Sequence, residues 1–309
     1  MNTIKFSKRN LKTTEQHNLE VSQVEEVNLF DKTVQMYFPC NLNIFITNEC
    51  HNHCSFCINK DYSGTDIEDE EYYNALIAVF EELKDKPIEI TLTGGEPSLK
   101  AERFVRTMEL CKRYGFKCRT VSTTGLQLMK NYNGLPLCQY MLENGFVHNI
   151  NVSRMHYLED KNREVFQGSK NLTNKDLERL RLFFKLNNAE LRLSCNLLSG
   201  YIDDLQKMLD FVDYYNKFDT VMFREVVGNS YIRLSDILDF KDFVHIDTLD
   251  GMYYTVEVYY YREYLVKYYM GKKVDTGIFS SLALRNGVLM QDFKKEIWSY
   301  DKSRAGTGN

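Results

Sequence analysis

The chain has 309 residues and a formal net charge of −4, so it carries no global basic field of the kind that marks nucleic-acid binding. Its length suits one large α/β domain with appendages. Its opening residues lack an apolar export segment and no run of about 18 apolar residues is present, so its 8 cysteines point to a reducing, cytoplasmic setting rather than a disulfide framework or a membrane. In chain order, residues 1–25 are polar without a steady period and read as a loosely ordered arm. Val27 to Phe38 holds a turn-like Asp31-Lys32 between apolar runs and predicts a hairpin. Leu42 to Thr47 predicts a strand. From there strands and helices alternate: a helix over 67–84 with Tyr73, Leu76, Val79, Phe80 and Leu83 on one stripe, a strand over 88–93, a helix over 100–114, a strand over 117–123 and a short helix over 135–144. A strand over 148–155, a helix over 174–186, a strand over 190–197, a helix over 202–217 and a strand over 220–226 complete the series. Beyond about residue 240 the composition turns to Tyr, Val and Lys, which predicts β structure. The expected organisation is therefore an N-terminal arm with a candidate hairpin (1–40), an α/β core (41–235) and a β-rich C-terminal extension (236–309).

Two motifs stand out against this frame. Cys50, Cys54 and Cys57 form the run Cys-His-Asn-His-Cys-Ser-Phe-Cys, a CxxxCxxC spacing, directly after the first strand of the alternating series. Iron–sulfur clusters are held by cysteine thiolates, normally four for a [4Fe–4S] cube. A loop supplying three leaves one iron open, and open metal positions are where chemistry occurs. A zinc site completed by His51 or His53 is the competing reading of the spacing alone. The second motif is Gly94-Gly95-Glu96-Pro97, at the end of the strand over 88–93.

Together the two motifs, with Phe56 just before the third cysteine, resemble the radical S-adenosylmethionine (SAM) superfamily. The resemblance covers roughly residues 40–230. It implies a partial (β/α)6 barrel, a [4Fe–4S] cluster on Cys50, Cys54 and Cys57, and SAM chelating the open iron. It also implies reductive cleavage of SAM to a 5′-deoxyadenosyl radical, with electrons from a donor such as flavodoxin or ferredoxin. By the same resemblance Gly94, Gly95 and Glu96 are expected at the methionyl amino group. Ser153 is expected at the SAM ribose or carboxylate, and Phe56, Ser122, Thr124 and Asn196 join them as candidate cofactor-binding residues. Cys195 is the last cysteine in the chain, so a C-terminal auxiliary-cluster region is not expected.

The strand alternation adds candidates of its own. Arg192, Ser194 and Asn196 share one face, and Leu191, Leu193 and Cys195 the other. Arg119, Arg154, Arg192 and Arg224 fall one per strand from the third to the sixth, and arginine is the preferred fork for carboxylate or phosphate. Arg192 is therefore expected as the substrate contact, with His156 as a polar contact or proton donor. Cys195 is read as a buried apolar cysteine rather than a hydrogen-atom donor, and the late Tyr stripe as strand packing. The leading expectation is a single-cluster radical SAM enzyme acting on a small anionic metabolite, nucleotide- or carboxylate-bearing. The alternatives are modification of a ribosomally made peptide, by crosslinking or epimerisation, and a non-catalytic iron–sulfur or zinc protein.

Overall fold

A computed structural model describes residues 2–8, 23–60, 62, 64–168, 170–226, 232–250, 254–271 and 278–301. The side chains of Cys118, Arg119 and Ser280 lie outside the described set. The strands are β1 (Thr3–Lys8), β2 (Gln23–Leu29), β3 (Lys32–Phe45), β4 (Ile88–Thr93), β5 (Lys117–Thr123), the two-residue pair β6 (Asn131–Tyr132) and β7 (Leu135–Pro136), β8 (Ile150–Ser153), β9 (Leu191–Asn196) and β10 (Thr220–Arg224). They are followed by β11 (Val244–Asp250), β12 (Tyr254–Tyr261), β13 (Tyr264–Gly271), β14 (Phe279–Arg285), β15 (Val288–Gln291) and β16 (Lys295–Ser299). The helices are α1 (Asp69–Leu83), α2 (Ala101–Arg113), α3 (Leu137–Glu143), α4 (Glu159–Phe166), α5 (Asn174–Leu186), α6 (Leu205–Tyr214) and α7 (Leu234–Ile237).

Local chemistry accounts for these elements. Asp69, Glu70 and Glu71 crowd the first turn of α1, where the helix dipole favours carboxylates. Thr173 caps α5 by accepting from the Asp176 amide, and Asp204 caps α6 by accepting from Lys207. The stripe of α1, including Leu76, Val79, Phe80 and Leu83, is fully buried.

The six expected strands β3, β4, β5, β8, β9 and β10 pair in parallel and in that order. This is the arrangement of a partial (β/α) barrel, and among the described residues the sheet is not closed into a ring. The C-terminal extension is β-rich as expected, but it is not a separate layer. β14 pairs in parallel with β3 on one side, while β13 reaches the other side through β1. The strand β1 is a correction: its residues lie within the expected arm, yet it pairs antiparallel with both β10 and β13. Ile4 and Phe6 are its buried side chains, and six residues with two apolar positions are too short a pattern to read as a strand unaided. Residues 9–22 of the expected arm lie outside the described residues. The hairpin is present as β2 and β3 around Phe30 and Asp31. The helix α4 was not expected: its single buried apolar pair, Val165 and Phe166, is a weak signal.

Register divides the sheet into two faces. Leu42, Ile90, Val121, Ile150, Leu191, Val221 and Phe6 lie on the apolar face and join residues of the helices in one buried cluster. Asn43, Thr91, Ser122, Asn151, Arg192 and Thr220 occupy the opposite, inner face. Leu193 and Cys195 pack on the helix side with no exposure, as their parity predicts.

Candidate active site

The cysteine loop begins where β3 ends and is held from several directions. Gly95 donates its amide to the Thr47 carbonyl at 2.8 Å, and Glu96 donates to Glu49 at 2.8 Å. Asn59 donates to the Gly94 carbonyl at 2.9 Å. A Cβ at Gly94 would overlap the Thr47 carbonyl, and one at Gly95 the Glu49 carbonyl. The glycine pair is thus required where two backbones touch. On the far side, His53 donates its amide to Phe166 at 3.0 Å, at the end of α4, and Gly168 leaves room for Asn52. Cys54 and Phe56 rest on a small apolar cluster of Met155, Val165, Phe166 and Leu198, contributed by α4 and the ends of β8 and β9.

All three cysteines are half-buried and free. Burial, reinforced by repulsion from the Cys57 and Cys50 thiolates, pushes the Cys54 thiol up to about 12. Burial likewise raises Cys50, partly offset by the Asn52 amide, which donates to its sulfur at 3.4 Å. The Asn59 amide donates to Cys57 at 3.4 Å. Asn52 itself is 7% exposed, and neither of its side-chain polar atoms has a hydrogen-bond partner; His51 Nδ1 is buried in the same condition.

Glu96 is wholly buried. Its Oε1 accepts from Ser98 Oγ at 2.5 Å, Ser98 N at 3.2 Å and Thr123 Oγ1 at 2.6 Å, while Oε2 accepts from Thr124 N at 2.6 Å. A carboxylate with four donors around it and no solvent contact is a brace between the ends of β4 and β5. Thr124 extends the brace to the loop, its hydroxyl lying 3.4 Å from His51 Nε2. His51 is held below its ordinary value by burial, against the pull of Glu96.

The inner face carries the remaining candidates. Ser122 aligns with Asn151, Ser153 with Ser194, and Asn196 with Arg224. The arginines part company. Arg154 is 2% exposed on the helix side, donating to Tyr215 OH at 2.8 Å, Leu172 O at 2.7 Å and Asn174 Oδ1 at 2.6 Å. Arg192 is buried near the start of β9 and its guanidinium bridges to Glu190 at 2.8 Å. Arg224 ends β10 half-buried; its buried Nε has no partner, and its side chain makes no hydrogen bond or ion pair among the described residues. Burial, then the neighbouring Arg192, lowers its affinity for its proton. Lys5 and buried Lys267 face one another on the same side of the sheet. Only their strand parity could have flagged those lysines, and their strands were not resolved in the sequence. His156 Nδ1 accepts from the Leu158 amide at 3.0 Å ahead of α4, and burial, aided by nearby Lys161, Arg154 and Lys207, lowers its affinity for a second proton.

Residues 44–164 match the family model described as "Radical SAM superfamily". Over that span, which holds the cysteine loop and the Gly94-Gly95-Glu96 turn, the chain is similar to radical SAM proteins. Among known proteins, the GTP 3′,8-cyclase of Staphylococcus haemolyticus is 27% identical over 188 residues, covering 57% of this chain and 50% of the relative. The chain thus matches about half the length of that relative. Streptococcus suis SuiB bound to S-adenosylmethionine aligns with a TM-score of 0.46 at 16% identity, over 64% of this chain and 43% of SuiB. A radical SAM methyltransferase from Sphaerobacter thermophilus aligns with a TM-score of 0.44 at 16% identity, over 70% of this chain and 71% of the other.

Proteins of the matched family use SAM and a [4Fe–4S] cluster, and the matched span includes Cys50, Cys54 and Cys57. The donor set fits such a cluster. Three mutually repelling thiols on one loop are what a cationic iron centre stabilises, and the loop carries unsatisfied polar atoms at Asn52 and His51. Among the described residues no three His, Cys, Asp or Glu side chains converge as a ready metal site, so the fit rests on that donor chemistry. In Gly94-Gly95-Glu96 the glycines make the close approach to the loop backbone, and the buried Glu96 carboxylate takes its hydrogen bonds from Ser98, Thr123 and Thr124. No helix among the described residues is long and apolar enough to cross a membrane.

Proposed function

We propose that this chain is a radical SAM enzyme whose substrate is a small anionic molecule, and that Arg224 receives its negative group. The observation that carries this reading is the half-buried Arg224 side chain at the carboxyl end of β10, whose buried Nε has no partner among the described residues. A partly buried charge without a partner is costly, and a bidentate carboxylate or phosphate relieves that cost. Arg192, Lys5 and Lys267 add positive potential on the same face, and the unpartnered Asn151 Oδ1 offers an acceptor beside them. Arg192, already bridged to Glu190, contributes charge rather than a free fork.

In this reading Cys50, Cys54 and Cys57 hold the cluster, which with SAM supplies a 5′-deoxyadenosyl radical that takes a hydrogen atom from the substrate. Gly94, Gly95 and Glu96 fix the loop. Ser122, Ser153 and Asn196 line the inner face as polar contacts. Met155 and Leu198, together with half-buried Phe56, seat the cysteine loop on an apolar floor. A flavodoxin- or ferredoxin-type donor would supply the electron. The GTP 3′,8-cyclase relative acts on a nucleotide by its name, which is consistent with a phosphate-bearing substrate here.

A peptide substrate is the second reading, and one observation favours it. Among the described residues the strand β11 is an edge of the sheet and is exposed along nearly all its length, so an extended peptide can add to it. The two readings separate in a screen of anionic metabolites and candidate peptides for 5′-deoxyadenosine above the uncoupled background. The anionic reading expects a metabolite to stimulate the wild type and to lose that stimulation in Arg224→Gln. Stimulation by a peptide alone, unchanged in Arg224→Gln, would overturn it.

A further inference from the structure

The turn between β14 and β15 lies about 230 residues downstream of the cysteine loop, yet it grips both ends of that loop. Arg285, the last residue of β14, donates from Nε to Asn48 Oδ1 at 2.6 Å, two residues before Cys50. Its guanidinium lies 3.3 Å from the ring centroid of Tyr62, five residues after Cys57, and 4.9 Å from that of Phe45. Asn286 completes the grip. It donates to Tyr62 OH at 2.9 Å and to Thr65 O at 2.7 Å, and accepts from Asn48 Nδ2 at 3.1 Å. Asn48 also donates to Asp66 Oδ1 from its amide at 2.7 Å and its side chain at 2.8 Å, so entry and exit of the loop are drawn together. The left-handed φ of Asn286 (47°) and Gly287 (74°) lets the chain turn this tightly, a conformation asparagine and glycine tolerate.

The grip leaves something over. Arg285 Nη2 is buried and has no hydrogen-bond partner, and Arg285 makes no salt bridge among the described residues. Asp66 is occupied by Asn48 and Thr47. The contacts to Asn48 and Tyr62 hold the guanidinium against the residues that flank Cys50 and Cys57. A half-buried, oriented cation at a cluster loop stabilises the more negative, reduced state of whatever iron centre the loop holds.

We propose that Arg285 is a positioning residue of the cluster loop. It clamps the loop through Asn48 and Tyr62, and it sets a fixed positive charge at the ends of the cysteine loop that raises the reduction potential of the cluster. This rests on the radical SAM reading for its second half only; the clamp is a property of the protein without iron. The strand β14 thus serves the cysteine loop as well as the sheet.

Hydrogen exchange on the cluster-free protein tests the clamp. In Arg285→Gln, segments covering residues 46–66 are expected to exchange about tenfold faster than in wild type, with β8 to β10 unchanged. Gly64→Ala is the second variant: its Cβ would lie 2.5 Å from Tyr62 Oη and push the ring off the guanidinium while Arg285 stays intact. It is expected to loosen the same segment. Unchanged exchange of residues 46–66 in both variants overturns the clamp. A redox titration of the reconstituted cluster, followed by electron paramagnetic resonance, tests the charge. Arg285→Gln is expected to move the midpoint to more negative potential, and Arg285→Lys to remain nearer wild type while exchanging as fast as the glutamine variant. Equal potentials in wild type and Arg285→Gln overturn the electrostatic role. Wild-type protein that takes up no iron would sink the radical SAM reading and the potential shift together, and the exchange result would still decide the clamp.

Discussion

Arg154 and Arg224 stand at the carboxyl ends of two strands of one sheet and meet opposite surroundings. Arg154 turns to the helix side, where Tyr215, Leu172 and Asn174 satisfy its guanidinium. Arg224 turns to the inner face, where nothing described satisfies it and another arginine stands close. The same contrast separates Glu96, enclosed by four donors, from the unpartnered Asn52 within the cysteine loop. The saturated groups hold the scaffold together. The unsaturated Arg224 and Asn52 are the groups the proposed ligands would complete, because a buried polar group is usually paired by protein, water or ligand.

The contrast breaks most completely at the loop. Cys54→Ala is expected to abolish cluster uptake, read as iron and sulfide per chain after anaerobic reconstitution, because the two remaining thiolates cannot hold a cube. Retention of normal 5′-deoxyadenosine formation in that variant would contradict the assignment of the loop.

The two arginines should then separate cleanly. Arg224→Gln is expected to lower substrate-dependent turnover by roughly 10- to 150-fold, the cost of one charge-assisted contact, while uncoupled SAM cleavage persists. Its unfolding free energy should stay level or rise, since a half-buried charge without a side-chain partner among the described residues is removed. Arg154→Gln should do the reverse and destabilise the fold by about 1–3 kcal/mol in denaturant titration, through the acceptors it strands. Equal stability losses in both would erase the distinction between the two faces.

Glu96→Gln sharpens the same point for the carboxylates. It places amide hydrogens among donors and should cost about 1–3 kcal/mol of stability in the cluster-free protein. If stability is unchanged and only SAM affinity falls, the carboxylate serves the cofactor and not the brace.

The smallest effect belongs to His156. The folded chain holds this imidazole below its ordinary value of 6.5, chiefly by burial. Between the lowered folded value and 6.5 the unfolded chain binds the extra proton, so stability falls as pH drops through that window. His51 acts in the same sense. In His156→Gln the decline below pH 6.5 should be shallower than in wild type, as measured by unfolding at a series of pH values; identical slopes would show that the imidazole is not held neutral by the fold.

Much of this was legible in the chain itself. The alternating strands from Leu42 to Val226, the stripe of α1 and the glycine-terminated α2 follow from periodicities of two and 3.6 and from turn residues, all local signals. The cysteine spacing and the Gly94-Gly95-Glu96 motif carried the family, because ligand spacing on a loop is also local. The inward parity of Arg192, Ser194 and Asn196 and the burial of Cys195 came out as their alternation predicts.

Partnership is different. Whether an arginine is satisfied depends on groups such as Tyr215 or Glu190, brought to it by folding, and no pattern within a strand encodes which face will supply them. Nothing in the spacing announced that Glu96 would be enclosed by Ser98, Thr123 and Thr124, or that Thr3–Lys8 would find edges to pair with. Arg285 makes the case most sharply. It lies in an unremarkable strand at the far end of the chain, and only the parallel pairing of β14 with β3 carries it to the cysteine loop. The sequence by itself determined most of the core elements and offered the candidate donor set; the tertiary structure decided which charges are neutralised, because that rests on contacts between residues far apart along the chain.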